Sequence, residues 1–368
     1  MQLFNVGMLK SFLPTSTEFH LSGNLTKLAE LNTLPSAAAS IDPCEEPQRE
    51  RSSGYALTEQ DSPVRLRTHC PSCMSSALMP VCTLPYSSPA IQRYLRRQYQ
   101  GRASGAFDLS DYELVRCSDC DLAFQMQVPS EFMLDEIYNA WIPGAGPDVV
   151  RSNYGLPDYR DLAEQVQFIL AHFKLAPANL NLLEFGFGWG EWARMAMAFG
   201  CNVSGIELSK ERIAHAQAIG IEVLDLNQLP PQHFHFINTE QVFEHLTDPL
   251  LVLEKLVRAL AVNGMIRINV PNAENALTQL NRTKDIDALT TEHQMAVAPI
   301  EHLNSFTHSS LVRFASSLGL KPIRPSFYLL LNSASGLLSI NNLLRVVVRP
   351  FYRYVYPRST CMYFVRAQ

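Results

Sequence analysis

The 368-residue chain has no window approaching the ~18 consecutive apolar residues that a membrane-spanning helix needs. Its nearest runs, Tyr328 to Leu331 and Leu343 to Val348, are interrupted by Asn332, Ser333 and Arg345. The first residues carry neither a basic leader followed by an apolar block nor an Arg-rich transit pattern, which argues against export. Nor is there a surplus of positive charge. The formal net charge is -5, so no general attraction to nucleic acid is expected. These absences leave the expectation of a soluble, cytoplasmic chain without stable membrane insertion. In such a reducing compartment the 8 cysteines read as thiols or metal ligands, not disulfides.

What is present suffices for about two domains at ~150 residues each, with 47% hydrophobic and 18% charged residues. Residues 1–62 mix Ser, Thr, Pro, Gln and Glu without sustained periodicity and read as a disordered extension, Ser22 to Leu34 being a possible short helix. From His69 to Trp141 two Cys pairs bracket a Tyr- and Arg-bearing stretch, Ile91 to Gln100, and the segment closes on a helix-like run, Ser130 to Asn139. This is the smaller domain, residues 63–150 with its linker. Gly144, Gly146, Pro147 and Pro157 then precede a helix from Asp158 to Phe173.

The remainder, residues 151–368, alternates short apolar runs with helical stretches: Leu182 to Phe185, Glu191 to Phe199, Asn202 to Ile206, Lys210 to Ile219, Ile221 to Leu224, Phe234 to Thr239, Pro249 to Leu260 and Met265 to Val270. Such alternation predicts an α/β fold, a parallel sheet with helices on both faces. Residues 273–300 read as irregular, Ser309 to Leu318 as a helix, and Lys321 to Leu331 and Cys361 to Arg366 as strands. The segment Leu337 to Arg353 carries Leu, Ile and Val with Arg345, Arg349 and Arg353, and reads as a packed helix, a lid or a membrane-surface element.

Leu182 to Phe185 runs into a turn with Gly186, Gly188 and Gly190, and Glu191 opens a helix. Glycine there permits positive φ and removes every Cβ that would block a ligand, while the helix start adds free N–H donors. The second strand ends in Glu207, an acid placed to accept from both hydroxyls of a ribose. Gly188 to Ala193 also fits the dinucleotide fingerprint, so a nicotinamide enzyme remains an alternative, as does a turn that merely needs glycine.

Beyond the next strand, Glu244 and His245 fall in the crevice where open α/β sheets bind ligands, and Asp248 and Pro249 suit the cap and first turn of a helix. A neutral imidazole at His245 can accept a proton near pH 7, and Glu244 can orient it or hold a substrate hydroxyl; simple packing of both is the plain alternative.

The spacing from Glu184 to Gly190 resembles motif I of class I S-adenosylmethionine-dependent methyltransferases. The run Phe234 to Pro249, including Val242-Phe243-Glu244-His245, resembles a second stretch of small-molecule methyltransferases, and Glu301 to Thr307 resembles their "E-H-x-x-x-F-T" segment. The matches keep their order over residues 180–368, although His235 stands where an acid is usual and Asn263-Gly264 replaces a Gly-Gly turn. The resemblance implies a Rossmann-like seven-stranded sheet and S-adenosylmethionine as cofactor. It implies a site of Glu184, Gly186, Gly188, Gly190, Glu207 and Glu240, with Asp225 and Leu226 at the adenine, and His245 and Glu244 at the chemistry.

Cys70-Pro71-Ser72-Cys73 and Cys117-Ser118-Asp119-Cys120 are two knuckles separated by 43 residues. Two such turns supply four thiolates to a tetrahedral structural zinc, redox dithiols being the alternative. Asp111 to Arg116 and Leu122 to Phe124 read as the entry and exit strands of a zinc-ribbon-like fold, and Cys44, Cys82, Cys201 and Cys361 as ordinary thiols. Together the two domains are similar to methyltransferases with an amino-terminal four-cysteine domain, including sugar C-methyltransferases. That similarity implies a small-molecule acceptor, a sugar or a lipid-linked metabolite, with Tyr138, Trp141 or Tyr154 at its pocket. A non-catalytic zinc-bearing module is the third reading.

Overall fold

The computed structural model describes residues 62–327, apart from 104, 106 and 142–145, together with 347–348, 351, 354 and 360–366. The expectations for residues 1–61, for Cys44 and for nearly all of 337–353 lie outside the described residues.

The first unit begins with β1 (Val64–Leu66), β2 (Leu78–Pro85), α1 (Pro89–Tyr99), β3 (Asp111–Cys117), β4 (Ala123–Gln125), β5 (Gln127–Pro129) and α2 (Glu131–Glu136). α1 carries Pro89 in its first turn and Arg96 and Arg97 in its last, as the helix dipole favours. It buries Ile91, Tyr94, Leu95 and Tyr99. Strands β2, β3 and β4 pair antiparallel around the two cysteine turns, as the ribbon reading anticipates.

The second unit continues with α3 (Pro147–Ser152), α4 (Leu156–Phe173), β6 (Asn181–Phe185), α5 (Glu191–Ala198), β7 (Asn202–Ile206), α6 (Lys210–Ala218), β8 (Glu222–Val223), β9 (Phe234–Glu240), α7 (Pro249–Ala259) and β10 (Leu260–Val270). After α8 (Glu274–Thr283), α9 (Thr291–Ala296), β11 (Asn304–Ser305) and α10 (His308–Ser316) come β12 (Leu320–Ile323) and β13 (Thr360–Arg366). Seven of these strands form one sheet in the order β12-β13-β10-β9-β6-β7-β8, the central ones parallel and β13 antiparallel to both its neighbours. Apolar side chains of α4, α5 and α6 cover one face, those of α7 and α10 the other. This is the doubly covered α/β sheet that the alternating pattern predicts, with every parallel strand delivering its carboxyl end to one edge.

Three local expectations are corrected. Residues 273–300 are largely helical, and Ala273, Ala276, Leu277, Leu280, Ile286 and Leu289 pack into the core of the first unit with Tyr94, Tyr99 and Tyr112. The strand expected over Lys321 to Leu331 ends at Ile323. Asp248 does sit at the start of α7, but its carboxylate pairs with Arg65 at 3.3 Å and makes no cap hydrogen bond.

The two units are also joined by backbone. Strand β11 pairs with β4, so residues 304–305 complete the cysteine-bearing sheet. Arg67 is buried at the junction, and its guanidinium donates to the carbonyls of Gln125, Leu246, Thr247 and Leu303 and to Asn304 Oδ1. Burial lowers its pKa to about 10, still far above neutrality, so the cation persists; its two terminal nitrogens are met mainly by carbonyl dipoles, while Nε is buried without a partner.

Candidate active site

The glycine turn follows β6, with Gly186, Gly188 and Gly190 at φ of 75°, 56° and 76°. They are not equivalent. A Cβ on Gly186 would lie 2.5 Å from Val242 Cγ2, and one on Gly190 2.7 Å from Ile221 Cδ1, so packing alone demands these two glycines. A Cβ on Gly188 would meet nothing within 4 Å. The side chain of Phe187 lies instead against β7, where a Cβ on Gly205 would come 2.4 Å from its ring. The cleft at Gly188 is therefore clear of the loop's own side chains.

Glu207, at the carboxyl end of β7, turns toward this loop. Its Oε2 accepts from the Gly188 amide at 3.0 Å, and its Oε1 accepts from the amides of Leu208 at 2.8 Å and Ser209 at 3.1 Å. Arg212 stands 3.7 Å away and lies over the Trp189 ring. Glu184 is placed differently: buried beneath the loop, its carboxylate accepts from the Ala193 amide at 3.0 Å and ties strand β6 to the first turn of α5. Desolvation raises its pKa to about 8, outweighing that hydrogen bond. Asp225 is exposed after β8, its Oδ1 accepting from the Asn227 amide at 2.8 Å and so closing the short turn that holds Leu226.

Glu240 ends β9 and is paired with Arg267 and Asn269 of β10. Arg267 also donates to Asn238 Oδ1 at 2.9 Å, and Asn238 stands between Glu184 and Arg267 in the register of three neighbouring strands. This polar row through the sheet was missed from the sequence, although an arginine inside the apolar run Met265 to Val270 was its signal. Across the loop, α3 sends Arg151 to Glu191 Oε1 at 2.6 Å and to His215 Nε2 at 2.9 Å, strapping a helix over the glycine turn.

Glu244 and His245 occupy a single turn after β9, Phe243–His245. Glu244 is 1% exposed, and neither carboxylate oxygen has a hydrogen-bond partner. Burial holds its pKa well above the usual carboxylate range. His245 Nδ1 lies 3.0 Å from the Glu301 carbonyl oxygen, so it is the donor there and Nε2 carries the free lone pair of the neutral ring. Burial lowers the pKa of His245 to about 4. Nε2 is 4.0 Å from Glu244 Oε1, beyond hydrogen-bonding range; the group orienting the ring is the Glu301 carbonyl, not the neighbouring acid.

The sequence offers His302 only as part of the run Glu301 to Thr307, yet its ring lies edge-on to His245 with centroids 4.7 Å apart. It is 3% exposed, with Nδ1 unpartnered. Glu301, also buried, accepts from Tyr99 and from Gln98 of α1, so the first unit reaches into the site. Of the three candidate aromatics, Tyr138 packs edge-on to His245 at 6.3 Å, Trp141 is buried against Tyr99 and Phe107, and Tyr154 packs on Tyr159.

The four knuckle cysteines converge, with sulfurs within 4.8 Å of one another. Cys70 faces Cys120 at 3.4 Å and Cys73 faces Cys117 at 3.6 Å. Each turn is closed behind its cysteines, Met74 donating to the Cys70 carbonyl and Asp121 to that of Cys117, both at positive φ. The Cys70–Cys120 hydrogen bond pushes the thiol of Cys70 up and that of Cys120 down. Cys82 and Cys201 are buried free thiols outside this cluster; Cys361 lies in β13, its side chain outside the described residues.

Residues 152–324 match the family model described as a methyltransferase domain. Among solved structures, the plantazolicin methyltransferase BpumL in complex with SAH is similar at 17% identity, covering 64% of this chain and 93% of its own, with a TM-score of 0.40. The YcgJ protein from Bacillus subtilis is similar at 13% identity, covering 55% and 99% respectively, with a TM-score of 0.35. No curated protein matches. The family match and the seven-stranded sheet define a class I S-adenosylmethionine-dependent methyltransferase. The family match is confined to residues 152–324, which carry the methyltransferase domain, and over that segment the methyltransferase reading takes the place of the nicotinamide one. Among the described residues no helix is long and apolar enough to cross a membrane.

Proposed function

We propose that the chain transfers the methyl group of S-adenosylmethionine to an oxygen, carbon or nitrogen of a small-molecule acceptor. The acceptor would be held between the Gly188 turn and the Glu244, His245 and His302 cluster. The observation carrying this reading is the open side of Gly188 with the Glu207 carboxylate at its lip, beyond the same strand ends as the buried Glu244 carboxylate and His302 Nδ1, which lack partners.

The residues fit the cofactor. Glu207 takes the ribose hydroxyls, Asp225 and the Leu226 amide the adenine, and Gly186, Gly188 and Gly190 shape the wall. Glu184 fixes the loop through α5, and Glu240 closes the far side beside Arg267. When bound, the cofactor supplies a sulfonium methyl already primed to leave, so the protein's task is to align the acceptor and remove a proton. His245 is the base: its ring is neutral at physiological pH and its Nε2 is free. Glu244, kept protonated by burial, donates to an acceptor oxygen.

The cysteine distances support a structural zinc, because sulfurs at ~2.3 Å from a tetrahedral ion stand about 3.8 Å apart, against 3.4 Å and 3.6 Å here. Residues 63–150 then form the zinc-bearing unit, holding Glu301 through Tyr99 and Gln98, and 151–368 the methyltransferase domain.

Calorimetry with S-adenosylhomocysteine and with NAD, followed by a screen of candidate metabolites for S-adenosylhomocysteine release, tests the reading. On an identified acceptor, His245→Ala is expected to lower kcat about 10²- to 10⁴-fold, the usual contribution of a general base. Unchanged turnover in His245→Ala and Glu244→Ala would remove both from the mechanism.

A further inference from the structure

The cluster beyond β9 carries more than a proton acceptor needs. We propose that Glu244, His245 and His302 form a site for a divalent transition-metal cation, separate from the four cysteines. Their ligand atoms lie within 4.8 Å of one another. They come from two places in the chain, the turn after β9 and the segment leading into β11, brought together by the pairing of β11 with β4.

Three observations point to a ligand here and not to a packed polar patch. The Glu244 carboxylate is 1% exposed with both oxygens unpartnered, and His302 Nδ1 is unpartnered in a ring 3% exposed. Burying such groups unmet is costly, and a cation meets all of them at once. The His245 imidazole is also held as metal-ligating imidazoles are held. It donates through Nδ1 to the Glu301 carbonyl, which leaves the lone pair on Nε2, while His302 Nδ1 is buried with no partner. Anchoring of the second ring nitrogen by a backbone carbonyl is the outer-sphere arrangement that fixes tautomer and direction in metal sites.

Two imidazoles and one carboxylate select zinc, iron(II), manganese, cobalt or nickel over calcium and magnesium, which take oxygen donors. Three protein ligands leave positions open. Around a bound ion the donor atoms stand about 3.4 Å apart, so side-chain rotations drawing the farthest pair together by roughly 1.4 Å close the present 4.8 Å spread. On the methyl-transfer reading, an ion bound here would replace the free-base arrangement: Glu244 would be ionised and His245 Nε2 a ligand, and the open positions would take the acceptor's oxygen and favour its deprotonated form in place of proton transfer to the imidazole. That consequence rests on the proposed function; the site itself does not.

The test is a cobalt(II) titration of the full chain, followed by absorption and by elemental analysis after desalting. Thiolate charge-transfer bands report the cysteine cluster, and weak d–d bands without them report a nitrogen and oxygen site. Wild type is expected to hold two equivalents. Glu244→Gln and His302→Gln are each expected to lose the second with at least a hundredfold weaker affinity, while keeping the thiolate bands and a cooperative melt. One equivalent in wild type, or a second equivalent undiminished in both folded variants, overturns the proposal. S-Adenosylhomocysteine calorimetry on the same samples separates the two ideas, since failed cofactor binding with two metals present sinks the methyl-transfer reading alone.

Discussion

Replacing Gly188 with alanine separates a glycine needed for the ligand from glycines needed for the fold. At φ of 56° the alanine costs ~1–2 kcal/mol of left-handed strain. Nothing lies within 4 Å of the added methyl, so no steric term joins it. For a chain of this size the melting temperature should fall by only about 2–8 °C. The methyl projects into the cleft proposed for the cofactor, and S-adenosylhomocysteine should bind at least ~10-fold more weakly, a loss of about 1.4 kcal/mol. Gly186→Ala should show the opposite signature. There a contact of 2.5 Å with Val242 adds roughly 1–3 kcal/mol of overpacking to a similar strain, so stability falls first. Calorimetric titration and thermal melts of both variants decide the matter. A Gly188→Ala protein that binds S-adenosylhomocysteine within twofold of wild type refutes the placement of the cofactor against that turn.

Other perturbations give equally definite results. Removing zinc with a strong chelator, or making Cys117→Ser, should lower the melting temperature by more than about 10 °C, because metal binding in such turns is folding energy and Cys117 lies in the main core with Phe124 and Phe314; a melt unmoved by chelation argues against the ion. Glu184 has a folded pKa of about 8 against an ordinary 4.5, so its contribution to stability is full below pH 4.5 and is lost as pH rises through 8. The unfolding free energy of the cofactor-free protein, from urea titrations, should therefore fall between pH 6 and pH 8, by at most ~1.4 kcal/mol per pH unit, and Glu184→Gln should flatten that slope. Arg67→Ala should cost about 3–5 kcal/mol by stranding the carbonyls the guanidinium serves. A loss under 1 kcal/mol in denaturant titrations would show that water replaces it.

Much of this architecture was legible because its causes are local. Leu182 to Phe185, Val203 to Ile206 and Phe234 to Thr239 are apolar runs that only a doubly covered sheet buries, and the paired cysteine turns declare themselves by spacing. What escaped is what the chain assembles from a distance. Helix α8 looks irregular in the sequence because its buried stripe is Ala276, Leu277 and Leu280 among polar residues, too thin a pattern to register. The adjacency of Glu244 and His245 suggested that one orients the other. In a tight helical turn, consecutive side chains point about 120° apart, and the imidazole is steered instead by a carbonyl 56 residues further on. His302 reaches the same cluster only because β11 completes a sheet begun some 200 residues earlier, a pairing no short-range pattern reveals.

That late pairing constrains how the molecule is made. A ribosome delivers both cysteine turns by residue 120, yet the edge of β4 stays open until residues 304–305 emerge, and Arg67 waits equally long for Leu246, Thr247 and Leu303. Fragments cut between the two units should expose that edge and a core missing its α8 side, so expression of either half alone is expected to yield aggregate, and co-expressed halves to be rescued only when both meet during synthesis.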